Sequence, residues 1–133
     1  MKNSFQLDIN SDNFSEPDIQ QLFNSVNWLT QKNQDKVYHA ILSSDITVCA
    51  WLDQKLVGIA CALSDGMKVI VTYLIVHPDA QGQRLSTQLL ASLENQVSPG
   101  SKLFILTDSA HSTFYEKQGY IQDSKVIFSK KVE

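Results

Sequence analysis

A polar turn near the middle of the chain joins two apolar segments, and its residue types suit anion binding. Residues 69–76 form a β-rich apolar run that stops at His77 and Pro78. A turn containing Gly82 follows, and a run with leucine at every fourth position begins at Leu85. A turn that leads from a strand into a helix presents unpaired backbone N–H groups at the positive end of the helix dipole. Such a turn could bind a phosphate or pyrophosphate, although strand–helix turns without a ligand show the same local pattern.

The turn does not match either of the common nucleotide-binding loops. No Gly-Lys-Ser or Gly-Lys-Thr follows it, as a P-loop requires. The three spaced glycines of the dinucleotide fingerprint are also missing.

Two motifs together resemble a known family. The stretch from His77 to Leu90 resembles the acetyl-CoA motif of GNAT N-acetyltransferases, in which a strand ends in V-x-P and leads into Gln/Arg-x-x-Gly-x-Gly/Ala. Downstream, the heptapeptide FYEKQGY at residues 114–120 is similar to the family's FYEKxGF signature. The motifs stand in the family's order and at roughly its spacing, which makes the pair a stronger signal than either alone.

The resemblance implies a site for acetyl-CoA as co-substrate. Backbone amides of the turn would hold the pyrophosphate, and main-chain groups at the end of the preceding strand would pair with the pantetheine arm. The strands at residues 69–76 and 102–107 would splay apart and leave a slot for the thioester. The residues assigned to the cofactor are Leu74, Ile75, Val76, Gln81, Gly82, Gln83, Arg84, Leu85, Ser86 and Thr87.

The sequence departs from the family pattern at two positions of the turn. Arg84 stands where the family usually has glycine, so a side chain could crowd the phosphate. Arginine is also the side chain best suited to phosphate oxygens, so both effects remain open. Ser86 replaces the last Gly/Ala, which exchanges one small residue for another.

The chemistry that the resemblance implies is acetyl transfer to an amine. This reaction needs a neutral amine, a polarised thioester carbonyl and a proton for the departing thiolate. Tyr115, which would lie near the CoA sulfur, is the predicted general acid. The alternative is that Tyr115 is a core aromatic residue packed beside Phe114.

The general base is not identified by the sequence. Relatives often carry a carboxylate on the strand before the turn, but residues 69–76 contain none. Thr72 and Tyr73 could at most orient a water molecule there. Asp108 and His111, near the end of the next strand, are the other candidates, and Asp108 also suits a helix cap.

The acceptor is expected to be a primary amine of a small molecule or peptide. In the GNAT fold the first two helices and their loop usually select the substrate, so Trp28, Leu29 and Tyr38 are candidates to line the pocket; each also fits core packing. A catalytically weak or inactive acyl-CoA-binding regulatory module is the alternative, favoured by Arg84 and the missing carboxylate. An unrelated α/β anion-binding domain is disfavoured by the Tyr115 motif.

The elements that must position these residues are predicted in the order β-α-α-β-β-β-α-β-α-β. This is an α/β class fold with a mixed, GNAT-like sheet, in which a right-handed crossover makes the central strand pair parallel. We expect one domain over residues 1–133. The predicted strands cover residues 4–9, 46–52, 56–63, 69–76, 102–107 and 126–132, and the predicted helices cover residues 15–26, 35–42, 85–97 and 108–117.

The amino-acid composition makes some classes of binding partner and some cellular locations unexpected. The 133 residues are 43% hydrophobic and 19% charged, with a net charge of −3 and no face rich in Lys and Arg, so nucleic-acid binding is not predicted. No apolar run reaches the ~18 residues of a membrane span, and no signal peptide is recognised, so the expected location is cytoplasmic. Cys49 and Cys61 are interpreted as buried small hydrophobes, and no metal site is predicted. A homodimer through the edge of the terminal strand is compatible with the resemblance.

Overall fold

The computed structural model describes residues 5–9 and 13–133, which contain a mixed five-stranded sheet with helices on both faces. Residue 4 of the first predicted strand lies outside the described residues. The strands pair in chain order, antiparallel from the first to the fourth and parallel between the fourth and fifth. The strands are β1 (Gln6–Ile9), β2 (Ile46–Leu52), β3 (Lys55–Ser64), β4 (Lys68–Val76) and β5 (Lys102–Ile105), and the helices are α1 (Glu16–Ser25), α2 (Val37–Leu42), α3 (Leu85–Glu94) and α4 (Ser112–Lys117).

Local sequence signals explain where several elements begin and turn. Ser15 Oγ accepts a hydrogen bond from Asp18 N at 3.3 Å, and Asp18 Oδ2 accepts one from Ser15 N at 2.9 Å, which together form a capping box for α1. Between β3 and β4, Asp65 Oδ1 accepts hydrogen bonds from the backbone N–H groups of Met67 and Lys68. Such side-chain bonds satisfy backbone donors that the helix or sheet leaves free.

The sheet separates two apolar clusters. Helix α3 covers one face, where its leucines pack on small residues of β2 and β3 such as Ala50 and Ala60. Helices α1 and α2 cover the other face, where Phe23 and Ile41 pack against Cys49, among others. The cofactor motif therefore lies at the N-terminus of α3, and the inner face of this helix packs in the core.

Gly58 on β3 lets α3 approach the sheet closely. A Cβ atom at this position would lie 2.8 Å from Leu89 Cδ1 and 3.2 Å from Leu85 Cδ2. We expect Gly58→Val to destabilise the protein by about 1–3 kcal/mol, because overpacking displaces α3. Urea denaturation measures this free energy of unfolding. Gly58→Ala is the matched control and should cost less, because its methyl meets the flexible ends of Leu89 and Leu85 and lies at an ordinary contact distance of 3.4 Å from Ala50 Cβ. A Val variant as stable as the parent would contradict the packing described.

The terminal strand predicted at residues 126–132 is wrong. Residues 121–133 contain no helix or strand, and Phe128 is 92% exposed. Alternating apolar residues are compatible with a strand, but a strand forms only when a neighbour supplies backbone partners. No described strand pairs with this segment.

The remaining boundaries differ from the predictions by a few residues. Helix α3 ends at Glu94, three residues earlier than predicted. The predicted fourth helix begins with a 3₁₀ turn at Ser109–His111 and becomes α-helical at Ser112. Among the helices of the described chain, none has the length and apolar character needed to cross a membrane.

Candidate active site

A cleft of about 420 Å³ lies where β4 ends and α3 begins. Most of the turn residues predicted to hold the cofactor line this cleft, together with one residue from α4. Its lining consists of Val76, Ala80, Gln81, Gly82, Arg84, Leu85, Ser86, Thr87 and Phe114. The sequence indicated the turn but did not place Phe114 in the cleft.

The backbone of the turn presents a row of free donors. Six consecutive N–H groups, from Gly82 to Thr87, donate no hydrogen bond to any residue within the described ranges. The first backbone hydrogen bond of the helix runs from Gln88 N to Arg84 O at 3.1 Å. Free donors at the positive end of a helix dipole form an anion site. The arrangement is therefore suited to phosphate oxygens.

Two residues of the turn have left-handed backbone conformations. Gly82 has φ of 82° and Arg84 has φ of 60° with ψ of 21°. Glycine adopts this region freely, whereas another residue pays about 1–2 kcal/mol. This explains why a glycine would be preferred at position 84. Arg84 is exposed, and its guanidinium forms no ion pair with the part of the chain that the structure describes, so the cation is available to a ligand.

A β-bulge ends the pairing between β4 and β5. The parallel ladder joins Lys68–Val71 to Lys102–Ile105 and stops there, while β4 continues to Val76. At the same point Thr72 is an extra residue in the β3–β4 ladder, and its Oγ1 donates to Cys61 O at 3.2 Å. Bulges bend a strand and terminate pairing. The bulge thus accounts for an open edge on the last part of β4, the position of the predicted slot.

Backbone groups of Leu74 and Val76 point to that open edge. His77 N donates to Val57 O on β3 at 2.8 Å, and the polar groups of successive strand residues alternate sides. Those of Ile75 therefore face β3. Gln81 Nε2 donates to Val76 O at 3.2 Å, so the side chain of Gln81 joins the turn to the strand end.

Tyr115 packs beside this end of the sheet without lining the cleft itself. Its ring lies 5.0 Å from that of Phe114 and 6.1 Å from that of Tyr120. Burial raises the pKa of the Tyr115 phenol, and a hydrogen bond with the Thr107 hydroxyl acts in the opposite direction. Because the net change is upward, the phenol is protonated at neutral pH and can act as a proton donor.

Two hydrogen bonds tie the α4 region to α3. Gln118 Nε2 donates to Thr87 Oγ1 at 3.4 Å, beside the free donors of the turn. Tyr120 Oη donates to Glu94 Oε2 at 2.7 Å, at the other end of α3. The position of Tyr115 is therefore coupled to α3, whose N-terminus forms part of the anion site.

The side chains considered as bases have other partners or are exposed. The hydroxyl of Thr72 is used in the bulge, and burial raises the pKa of Tyr73. His111 is exposed, and so is Asp108, which precedes the 3₁₀ turn but forms no side-chain capping bond. The capping role predicted for Asp108 is thus absent from the described residues.

His77 orders the start of the turn. Its Nδ1 accepts a hydrogen bond from Asp79 N at 3.0 Å. The carboxylate of Asp79 lies 3.6 Å from Nδ1 and 3.0 Å from Lys55 Nζ, and Lys55 is its ion-pair partner. These contacts stabilise residues 77–79, which lead into the anion site.

An aromatic surface lies on the opposite face of the sheet, beside the open part of β4. The ring of Trp28 lies 5.2 Å from Phe23 and 5.5 Å from Tyr73, and Trp28 is 38% exposed. Tyr38 packs elsewhere, 6.1 Å from Phe14, and Leu29 is part of the α1–α2 cluster. Of the three residues predicted to line an acceptor pocket, Trp28 is the one in ring contact with β4.

Comparisons with known proteins agree with this architecture. The acetyltransferase (GNAT) domain profile matches residues 11–133. An uncharacterized N-acetyltransferase of Gracilaria tenuistipitata var. liui is 30% identical over 113 residues, which is 80% of this chain and 62% of that protein. The chain therefore spans less than two thirds of this relative.

Solved structures share the fold at low sequence identity. A candidate acetyltransferase from Deinococcus radiodurans R1 matches with a TM-score of 0.81 at 17% identity, over 96% of this chain and 88% of that one. An aminoglycoside N-acetyltransferase in complex with CoA matches with a TM-score of 0.72 at 15% identity, over 98% and 97%. With the domain match, these findings show that the chain belongs to the GNAT acetyltransferases, a family of acyltransferases.

Proposed function

We propose that the protein is an acetyl-CoA-dependent N-acetyltransferase that acts on a primary amine of a small molecule or peptide. The row of free N–H groups from Gly82 to Thr87, opening into the cleft, is the observation that carries this proposal. Family membership favours acetyl-CoA as the anion-bearing ligand. The CoA complex of the aminoglycoside N-acetyltransferase that shares this fold is consistent with that choice.

The chemical groups that line the cleft are of the types that would bind acetyl-CoA. The free amides and the guanidinium of Arg84 would hold phosphate oxygens, and this combination of donors suits a pyrophosphate. The backbone groups of Leu74 and Val76 would pair with the amides of the pantetheine arm. The apolar lining, with Phe114 and Leu85, would exclude water from the thioester.

Acetyl-CoA supplies an activated acetyl thioester when bound. The amine nitrogen would attack the carbonyl carbon, so that a C–N bond forms and the C–S bond breaks. The thiolate would take a proton from Tyr115, the nitrogen would release its surplus proton to water, and the Tyr115 phenolate would regain a proton from water. The proposed role of Tyr115 is to supply that proton from a position beside Phe114, which lines the cleft, and its raised pKa keeps the phenol neutral.

The pH profile follows from the direction of that pKa shift. An alkylamine is mostly protonated at pH 7, so kcat/KM should rise as pH increases from 7 to 9. Because the pKa of Tyr115 lies above its ordinary value near 10, loss of the donor should begin only above about pH 10. Steady-state rates across this range measure the profile. A descending limb centred below about pH 9 would contradict the role of a raised-pKa tyrosine.

The acceptor is proposed to pack against Trp28 and Tyr73. We expect Trp28→Ala to raise KM for the amine about tenfold with little change in kcat, because the ring would bind substrate and transition state alike. Trp28→Phe keeps an aromatic face and serves as the matched control. Amine titrations at saturating acetyl-CoA measure both constants. Equal KM values for the Ala variant and the parent would remove Trp28 from the acceptor site.

An acyl-CoA-binding regulatory module is the second candidate function. Arg84 at the usual glycine position and the lack of a carboxylate in β4 favour it. Thiol release from acetyl-CoA across a panel of amines separates the two functions. Release above the hydrolysis background supports the transferase, whereas tight binding with no release for any amine supports the module.

We propose that residues 1–133 form one domain and that the protein is cytoplasmic, as length and composition lead us to expect. An amine substrate is the proposed partner, with no nucleic-acid or membrane partner.

A further inference from the structure

Helices α1 and α2 leave part of their face of the sheet uncovered. Val69 and Val71 belong to the α3 cluster, so Ile70, between them, lies on the opposite face, where α1 and α2 pack. Leu63 pairs with Ile70 across β3 and β4, and Ile70 pairs with Phe104 across β4 and β5. Paired residues of neighbouring strands project to the same face, so these three side chains form a row across the sheet. Leu63 and Ile70 are 46% and 40% exposed.

The row continues into the aromatic surface at the open part of β4. Tyr73 is the next residue of β4 on this face, because Thr72 is the extra residue of the bulge. The ring of Tyr73 lies 5.5 Å from that of Trp28 and 5.4 Å from that of Phe23, which is fully buried. The partly exposed side chains of the row and of the aromatic surface form an apolar strip, which consists of Trp28, Tyr73, Ile70, Leu63 and Phe104.

The strip begins at the place where the proposed reaction occurs. The parallel ladder ends at Val71 and Ile105, so the edge of β4 that follows is open beside Tyr73. Strand residues rise about 3.3 Å each, so Ile70 lies within about 10 Å of this edge along β4. An amine whose nitrogen lies at the open edge would place a chain of similar length over Tyr73 and Ile70.

The charged groups at the other end of the strip are lysines. Lys68 and Lys102 pair across β4 and β5, and β4 and residues 102–107 contain no Asp or Glu. Lys102 Nζ lies 5.2 Å from the centroid of the Phe104 ring and 2.8 Å from Asp123 Oδ2. The carboxylate of Asp65 accepts backbone hydrogen bonds within its own turn. A second cation of a ligand that lies on the strip would therefore meet lysines and apolar side chains.

We propose that the acceptor is a primary monoamine with an uncharged apolar body, aliphatic or aromatic, and that this body lies on the apolar strip. Contiguous exposed apolar surface beside a reaction site gains free energy when an apolar ligand group covers it. A second ammonium group would lose hydration there without gaining a carboxylate, so polycationic acceptors are disfavoured. This inference rests on the proposed transferase function and narrows its substrate class.

Ile70 is the specificity-determining residue that the strip offers for a test. It lies in the middle of the strip and is not among the residues that line the cofactor cleft. Ile70→Glu would replace an apolar contact with a carboxylate at the position that the end of the amine chain reaches. Such a change both repels an apolar end and attracts a cationic one, so it should shift the preference between the two kinds of acceptor.

Acetylation of butylamine, hexylamine and 1,6-diaminohexane tests the proposal on the parent protein. Each methylene group that contacts the strip should raise kcat/KM by up to about fourfold, so hexylamine should exceed butylamine by about 5- to 15-fold. The diamine has the same chain length as hexylamine but ends in a second ammonium group. Its kcat/KM should be at least about tenfold lower than that of hexylamine. Thiol release at saturating acetyl-CoA measures these constants.

The same amines, used with two variants of equal charge, show where the selection occurs. Ile70→Glu should lower the ratio of kcat/KM for hexylamine to that for 1,6-diaminohexane at least about tenfold. Met67→Glu adds the same charge in the β3–β4 turn, where Met67 is 74% exposed, and should keep the parent ratio. Circular dichroism and the Kd of acetyl-CoA check that both variants fold and bind the cofactor.

The outcomes distinguish this inference from the proposed function. A parent protein that acetylates the diamine as efficiently as hexylamine, or an unchanged ratio in Ile70→Glu, would overturn the apolar-monoamine class and leave the transferase function intact. Equal kcat/KM for butylamine and hexylamine would show that the strip does not contact the acceptor, and would also overturn the inference. Absence of thiol release with every amine would instead refute the proposed function, and this inference with it.

Discussion

Replacing Tyr115 with phenylalanine is expected to lower turnover by about 10²- to 10⁴-fold, the usual contribution of a positioned general acid. The ring would keep its contacts with Phe114 and Tyr120, so the fold and the cleft should be preserved. Acetyl-CoA affinity should change little, because Tyr115 is not part of the cleft lining. Thiol release measures kcat, and calorimetric titration of acetyl-CoA measures the Kd.

Tyr120→Phe is the matched control for the Tyr115 variant. The Tyr120 hydroxyl donates to Glu94 Oε2, so loss of this hydroxyl should cost about 1–3 kcal/mol of stability and leave the chemical step largely intact. Comparison of the two variants thus distinguishes an effect on stability from an effect on the chemical step. Undiminished turnover of Tyr115→Phe with a saturating amine would remove Tyr115 as the proton donor.

Reversing the charge of Arg84 is the second change with a large expected effect. Arg84→Glu should weaken acetyl-CoA binding about 10- to 100-fold, which corresponds to about 1.4–2.8 kcal/mol. A carboxylate would then face the anion beside the free amides of the turn, and its repulsion in a partly exposed cleft is of this size. Titration at two salt concentrations measures the effect, which should shrink as salt screens the charges.

Arg84→Gly distinguishes the effect of the backbone conformation from the effect of the side-chain charge. It removes the cation but relieves the left-handed strain at φ of 60°, so it should raise the stability by about 1 kcal/mol and weaken binding less than Arg84→Glu. Urea denaturation and titration test the two effects separately. Wild-type affinity in Arg84→Glu would show that the arginine does not contact the anion.

Local patterns were sufficient to predict the elements around the site. The capping box at Ser15 and the turn at Asp65 each involve residues within a few positions of each other. The predicted helix start at residue 15 and the predicted gap between the strands at residues 56–63 and 69–76 fall at these places. The strand–turn–helix order around Gly82 was predicted for the same reason. The free amides of the turn follow from this order, because the first turn of a helix always leaves donors unpaired.

The bulge at Thr72 could not be predicted from the sequence. It depends on the register between β3 and β4, where the Thr72 hydroxyl bonds a carbonyl of Cys61, eleven positions away. Phe114 was likewise missed, because the rotation of α4 is set by contacts to α3 such as Gln118 with Thr87. Both features arise from tertiary contacts: the bulge lies where the edge of β4 becomes open, and Phe114 lines the cleft.

The wrong strand at residues 126–132 has a related cause. Alternation of apolar residues indicates that a segment can form a strand, but not which chain supplies the neighbour. In this protein Val126, Phe128 and Val132 have the right spacing and lie exposed. The error therefore arises because the alternation of apolar residues carries no information about a neighbouring strand.

Direct titration of the protein with acetyl-CoA, followed by calorimetry and thermal unfolding, tests the central claim most directly. We expect saturable binding of one molecule per chain, competition by free CoA, and at 100 times the Kd a gain of about 2.7 kcal/mol in the free energy of unfolding. Binding should weaken in Arg84→Glu. If neither acetyl-CoA nor CoA produces heat or a shift in Tm, the turn from Gly82 to Thr87 is not an acetyl-CoA site, and the proposed function is wrong.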